Sequence, residues 1–260
     1  IVFFAAGFPV FLVPFIYKYL PESLVYLEKK NKTDEIKAIM QKIEPSLQIN
    51  EQTQLQFPPM APHQSVPVTQ LFSDGLFLST LMLWVAFFTG LFMIYSLSTW
   101  LAKLMALAGY NLGSALSFVI ALNFGAVIGC IVGGWLADRF HIKWVLVTMY
   151  TLGGIFLYAM TFDHSQNMLY LIIAAVGACS TGGQIVAYAY CGQFYPANIR
   201  STGIGMAGGV GRLGAILAPL IIGYIVALNL PLEQNFMVIA AVAILGAVGI
   251  AFINHEKAAI

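Results

Sequence analysis

Between Gly75 and Ile260 only ten charged side chains occur in 186 residues, and the gaps between them are long. Uncharged runs cover 75–102, 104–137, 144–162, 164–199, 213–232 and 234–255. Each provides the roughly 20 apolar residues that an α-helix needs to cross a bilayer. Hydrocarbon offers no partner to backbone N–H and C=O groups, so such runs are forced into helices, which satisfy those groups internally. Turn chemistry at Gly109 to Asn111, Asp138 to Lys143, Asp163 to Ser165, Tyr195 to Ser201 and Asn229 to Pro231 then sets six spans near 75–102, 112–136, 144–162, 168–194, 201–228 and 234–254. The expected fold class is all-α, a polytopic membrane helix bundle over 75–255 with the lipid bilayer as partner. The whole chain is 60% hydrophobic and 9% charged, against roughly 45–50% and about 25% in soluble domains. A soluble globular protein is excluded, and nucleic acid is not an expected partner.

The remaining charges sit in the first third. Residues 1–20 read as the end of a truncated transmembrane helix, because the apolar run from Ile1 to Tyr17 has neither the basic start nor the small-residue cleavage site of a signal peptide. A polar connection spans 21–74. Pro21-Glu22-Ser23 suits a helix start in water. Thr33 or Asn31 is expected to cap a short helix whose Ile36, Ile39, Met40 and Ile43 recur at i, i+3, i+4, i+7, one buried stripe. Pro58, Pro59, Pro62 and Pro67 then mark an extended linker. If this connection faces the cytoplasm with the 256–260 tail, Lys18, Lys29, Lys30, Lys32, Lys37, Lys42, Arg139, Lys143, Arg200 and Lys257 all lie inside, and Lys103 alone lies outside. The positive-inside rule selects that orientation.

Catalytic machinery is not visible. Cys130, Cys179 and Cys191 all fall inside spans, too dispersed for a disulfide framework or a metal site, and read as small apolar filler. His63, His141, His164 and His255 lie in loops or at ends, and no phosphate-binding loop or H-E-x-x-H occurs. The chain is expected not to be an enzyme and to need no cofactor or metal. Glycine is more informative. Ala121, Gly125, Gly129 and Gly133 repeat every fourth residue, a spacing that lets helices approach closely in lipid. The fifth span holds Gly203, Gly205, Gly208, Gly209, Gly211 and Gly214, then Pro219 and Gly223, a composition that suits either tight packing or a helix that bends or slides.

Arg212 lies in that helix, eleven residues past Ser201, hence roughly 16 Å deep in a core of about 30 Å. A guanidinium at that depth faces a bundle interior or a water-filled cavity and has a partner. Asp74, Asp138, Asp163, Glu233 and Glu256 are all at span ends, so the partner is expected from a missing N-terminal half, from backbone carbonyls, or from an anionic ligand such as a substrate carboxylate. Trp84, Phe88, Leu91 and Tyr95 share one face of the first full span, Thr181, Gln184 and Tyr188 form a polar stripe on the fourth, and Asn123 adds an amide on the second. Buried amides and phenols in lipid need partners and commonly line wet cavities. The candidate substrate-binding residues are therefore Arg212, Trp84, Phe88, Tyr95, Asn123, Gln184 and Tyr188.

Gly133-Gly134-Trp135-Leu136-Ala137-Asp138-Arg139, followed by Lys143, resembles the loop between the second and third helices of each half of the major facilitator superfamily. Phe140-His141-Ile142-Lys143 replaces that loop's usual glycine and arginine. Leu20-Pro21-Glu22-Ser23 is similar to the entry of the superfamily's central loop, and Tyr195 to Gly203 to its later cytoplasmic loop. The extension through Gly209-Val210-Gly211-Arg212-Leu213-Gly214-Ala215-Ile216, with Pro219 beyond it, resembles the aromatic acid:proton symporter family. The resemblance implies the C-terminal six-helix half, from the end of the sixth helix through the twelfth, of a twelve-helix transporter with binding near the midplane. It further implies an inner-membrane symporter that moves aromatic carboxylates such as benzoate or 4-hydroxybenzoate with protons by alternating access. The proton-coupling carboxylates would lie in the missing half. A cytoplasmic gate would consist of Gly133, Asp138, Arg139, Lys143 and Arg200. A carrier of another organic anion, a sugar or an organic cation, and outside transport a receptor or scaffold, are the competing readings.

Overall fold

The computed structural model describes residues 12–20, 22, 27, 30, 32–43, 68–73, 75–255 and 258. These fall into two compact units, 1–64 and 65–260. In the first, α1 (Val13–Tyr19) is a short apolar helix with proline in its first turn, where the missing N–H costs nothing. The second helix, α2 (Thr33–Ile43), has Asp34 and Glu35 in its first turn and Lys42 in its last, charges that complement the helix dipole. Lys32 and Glu35 pair at 2.6 Å across its start. Its apolar stripe is real but narrow: Ile36 is buried and Ile43 is exposed. Thr33 is the first helical residue. Asn31, Pro21, Ser23 and the proline-rich stretch lie outside the described residues.

The second unit holds six helices long and apolar enough to cross a membrane: α3 (Phe77–Leu107), α4 (Leu112–Arg139), α5 (Ile142–Ala159), α6 (Gln166–Phe194), α7 (Arg200–Ala227) and α8 (Leu232–Ala251). A short 3-10 turn, Val68–Phe72, precedes them. The expected spans agree to within a few residues, and the differences have causes. The third helix continues past Lys103, whose ammonium rests on the Trp100 ring at 4.7 Å; a long side chain can carry its charge to the interface without ending the helix. The fifth starts at Ile142 because Lys143 finds a partner, donating to the Ile253 carbonyl at 2.8 Å. Asn111 caps α4 by accepting from Ser114 N at 2.8 Å, and Ser165 caps α6 through Met168 N at 3.4 Å. Gly109, at φ +92°, makes the turn out of α3.

Connectivity puts two sets of loops at opposite ends. At one end Tyr195 Oη donates to Thr80 Oγ1 at 3.0 Å, Thr80 Oγ1 to the Leu71 carbonyl at 2.7 Å, and Asn254 N to Ser79 Oγ at 3.2 Å. The segment entering α3, the α4–α5 turn, the α6–α7 turn and the chain leaving α8 thus share one end, as antiparallel neighbours require. At the other end, Tyr110, Met160, Asp163, His164, Leu232 and Phe236 surround a common cleft.

Close packing follows glycine. A methyl group added at Gly125, Gly129, Gly177 or Gly182 would lie 2.5 to 2.8 Å from a backbone carbonyl carbon of the facing helix, so α4 and α6 touch backbone to backbone. At that crossing α6 takes one π-helical turn, Ala178–Gly182. The expected small-residue seam on α4 is therefore a packing seam. On α7, Gly211 and Gly214 meet the carbonyls of Phe87 and Phe88 on α3, and Trp100 Nε1 donates to the Pro219 carbonyl at 3.2 Å beside Gly223.

Candidate functional site

The other side of α7 is open. Methyl groups added at Gly205 or Gly209 would meet nothing within 4 Å, and one at Gly208 would meet only the Tyr188 side chain, with the hydroxyl at 3.3 Å. Arg212 continues this face at helical spacing and is exposed. It stands twelve residues into a 28-residue helix, roughly 18 Å along its axis. Among the described residues it has no hydrogen bond and no ion pair. Tyr188, 38% exposed, is braced by the edge of Phe87 at 4.7 Å between ring centroids. The structure thus brings a phenol, a smooth glycine surface and a guanidinium onto one exposed region of α6 and α7. An arrangement of this kind can hold a flat ring and a carboxylate, the latter through two parallel N–H···O bonds from the guanidinium.

The other candidates divide. Tyr95 is 38% exposed. Asn123 is exposed, and its Nδ2 donates to the Val119 carbonyl of its own helix at 2.8 Å. Trp84 is half-buried against the edge of Phe72, 5.5 Å away, with Nε1 buried and unpartnered among the described residues. Phe88 stacks on Phe92 at 6.4 Å and Leu91 is buried, so most of that aromatic face packs inside the bundle. Gln184 is only 4% exposed and turns inward, its Oε1 3.4 Å from the hydroxyl of Tyr150, which also donates to the Ala86 carbonyl at 3.0 Å. Tyr150 was absent from the expected site. A phenol in mid-span needs an internal partner, the same signal that drew attention to Gln184, and Gly90 and Gly246 provide the room this pair occupies.

At the charged end, Gly133 seats the Met149 methyl, which an added Cβ would meet at 3.0 Å. Arg139 lies over the Trp135 ring at 4.5 Å, Lys143 holds the Ile253 carbonyl, and Arg200 Nε donates to the Tyr195 carbonyl at 3.2 Å. Asp138 is exposed and pairs with none of the three in this conformation. Tyr195 also explains part of its loop motif, because its ring fills the space a side chain at Gly203 would need.

The sequence model of the Major Facilitator Superfamily matches residues 1–143 and 119–259. The chain belongs to the Major Facilitator Superfamily. It is 42% identical over 258 residues to the benzoate transport protein of Acinetobacter baylyi, covering 99% of this chain and 55% of that protein. It is 40% identical over 166 residues to the gentisate transporter of Corynebacterium glutamicum, covering 64% of this chain and 37% of that one. The chain spans about half the length of the curated relatives it matches. A crystal structure of a mutant of the peptide transporter POT with sulfate superposes with a TM-score of 0.57 at 22% identity, over 69% of this chain and 39% of that one, a likeness of fold. Together with six spanning helices, membership in this superfamily makes the chain part of a multi-pass membrane protein.

Proposed function

We propose that the whole protein is a proton-coupled symporter for aromatic carboxylates such as benzoate or 4-hydroxybenzoate, working by alternating access in the inner membrane. The observation that carries this reading is Arg212, an exposed guanidinium in mid-span on an open glycine face, without a partner among the described residues. Such a charge in hydrocarbon calls for an anion, and the two relatives above are named for substrates that each combine one ring with one carboxylate. In this reading Arg212 holds the carboxylate, Tyr188 and Tyr95 flank the ring with Asn123 nearby, and Trp84, Phe88 and Gln184 support the wall from within. A second six-helix half faces this surface and supplies the proton-coupling carboxylates. Asp138, Arg139, Lys143 and Arg200, with Gly133 behind them, form a gate whose ion pairs exist in another transport state, so that their differential energy biases the equilibrium. The 21–74 connection and the tail face the cytoplasm. Cells expressing the full-length protein should accumulate radiolabelled benzoate or 4-hydroxybenzoate, and a protonophore should abolish accumulation. Uptake of a sugar with neither acid would overturn the substrate class. Cysteines introduced at Asn31 and His164 should label from opposite faces; labelling of both from one side would refute the orientation.

A further inference from the structure

The α4–α5 turn and the chain leaving α8 meet in an open cleft of about 440 Å³ lined by His141, Lys143, Trp144, Ile253, Asn254 and His255. Its polar side is rich in donors. The two imidazoles stand edge to face with 4.4 Å between ring centroids, and the Lys143 ammonium beside them is steadied by the Ile253 carbonyl. Tyr190, fully buried on α6, closes the inner wall with its hydroxyl 3.3 Å from His255 Nδ1. Among the described residues no carboxylate lines the cleft; Glu256 and Lys257, next in the chain, lie outside them. The basic groups therefore crowd one another with no counter-charge among the described residues. Burial first, then the charges of His141 and Lys143, hold His255 below the usual histidine range. A bound anion would offset the repulsion.

The apolar side of the same place faces outward. Phe140, Trp144 and Phe252 are exposed by 63%, 57% and 65%. They flank the first turn of α5 and the end of α8, where spans leave hydrocarbon for the headgroup layer and aromatic side chains anchor. Basic pockets between helices at that level recognise anionic headgroups. We propose that this cleft binds the phosphate of an anionic phospholipid, with Lys143, His141 and His255 donating to the phosphate and Phe140, Trp144 and Phe252 against the chains below it. The site is separate from the Arg212 surface and stands whether or not the substrate reading holds.

Native mass spectrometry of the detergent-purified full-length protein, incubated with phosphatidylglycerol or phosphatidylcholine, tests it. Phosphatidylglycerol should be retained at least tenfold over phosphatidylcholine, because its phosphate has no choline cation beside it to neutralise it. The double variant His141→Ala, His255→Ala should lower retention to the phosphatidylcholine level; His255→Gln, which preserves bulk, should lower it in part if the double variant is unstable. Trp144→Ala should weaken phosphatidylglycerol and leave competition by inorganic phosphate unchanged, which separates a lipid site from a free-phosphate site. Equal retention of the two lipids, unchanged retention in the histidine variants, or inorganic phosphate binding as tightly as the lipid would each overturn the proposal.

Discussion

Two regions of this bundle are rich in glycine and use it differently. Along the α4–α6 crossing, Gly125, Gly129, Gly177 and Gly182 stand where any Cβ would enter the facing backbone. On the outer face of α7, Gly205 and Gly209 face open space. Close approach explains the first set, since two helices in lipid gain nothing from hydrophobic exclusion and associate by van der Waals contact and short-range polar contacts. It does not explain the second. Glycine there costs helix stability without gaining contact, and it lies on the same face as the one mid-span guanidinium. In the proposed reading that face is kept bare for substrate, since a side chain one turn from Arg212 would occupy the space a planar acid needs.

The largest expected effect lies in the seam. Gly129→Ala should destabilise the protein by about 3 kcal/mol or more, because overpacking against rigid backbone cannot be relieved by a rotamer change. The thermal unfolding midpoint of the purified full-length protein and its yield in the membrane would register the loss. A variant with normal yield and midpoint would mean that α4 and α6 can separate freely, and the contrast would collapse. Next comes Arg212. Arg212→Lys keeps the charge and loses the planar fork, so uptake should fall roughly ten- to a hundredfold, the value of one charge-assisted hydrogen bond. The unfolding midpoint should stay unchanged, because Arg212 is exposed and has no hydrogen bond or ion pair among the described residues. Normal uptake by the lysine variant would remove the bidentate role and leave α7 with an unexplained face.

Smaller effects are expected at the charged end, where Asp138 is exposed and without an ion pair among the described residues while the neighbouring bases hold carbonyls and a ring. If Asp138 pairs in another transport state, Asp138→Asn should slow uptake several-fold, in line with an exposed to half-buried ion pair of roughly 1 kcal/mol, with yield unchanged. Full activity in the asparagine variant would reduce these residues to charges that orient the chain.

How far the sequence could be read follows from the same physics. Span positions were legible to within a few residues because charge is so costly in hydrocarbon that its absence marks the helix. The seam was legible because small residues at a four-residue spacing have one common use in lipid. Which way a polar side chain points was not. In water an amphipathic helix declares its buried face, as α2 does through Ile36. In these spans both faces are apolar, so Gln184, Tyr188 and Thr181 look alike along the stripe although Gln184 turns inward to Tyr150 and Tyr188 stays at the surface. The π-helical turn at Ala178–Gly182 contains Thr181 and precedes both Gln184 and Tyr188, so it shifts the facing of Thr181 relative to them by a step that regular helical spacing does not include.

The smallest effect is the most discriminating, because it repeats the first substitution at the other kind of site. Gly209→Ala adds the same methyl group where nothing lies within 4 Å. Helix propensity then acts alone, and the change should stabilise α7 by up to about 1 kcal/mol. A small rise in the unfolding midpoint, beside the large fall for Gly129→Ala, would establish that the two glycine sets differ in role and not only in position. If uptake also drops in the stabilised variant, the bare face is needed for substrate or for bending of α7, since neither lost contact nor lost stability is left to account for it. A fall in midpoint comparable to that of Gly129→Ala would instead mean that another surface packs on α7 as closely as α6 packs on α4, and the open face would become a second seam.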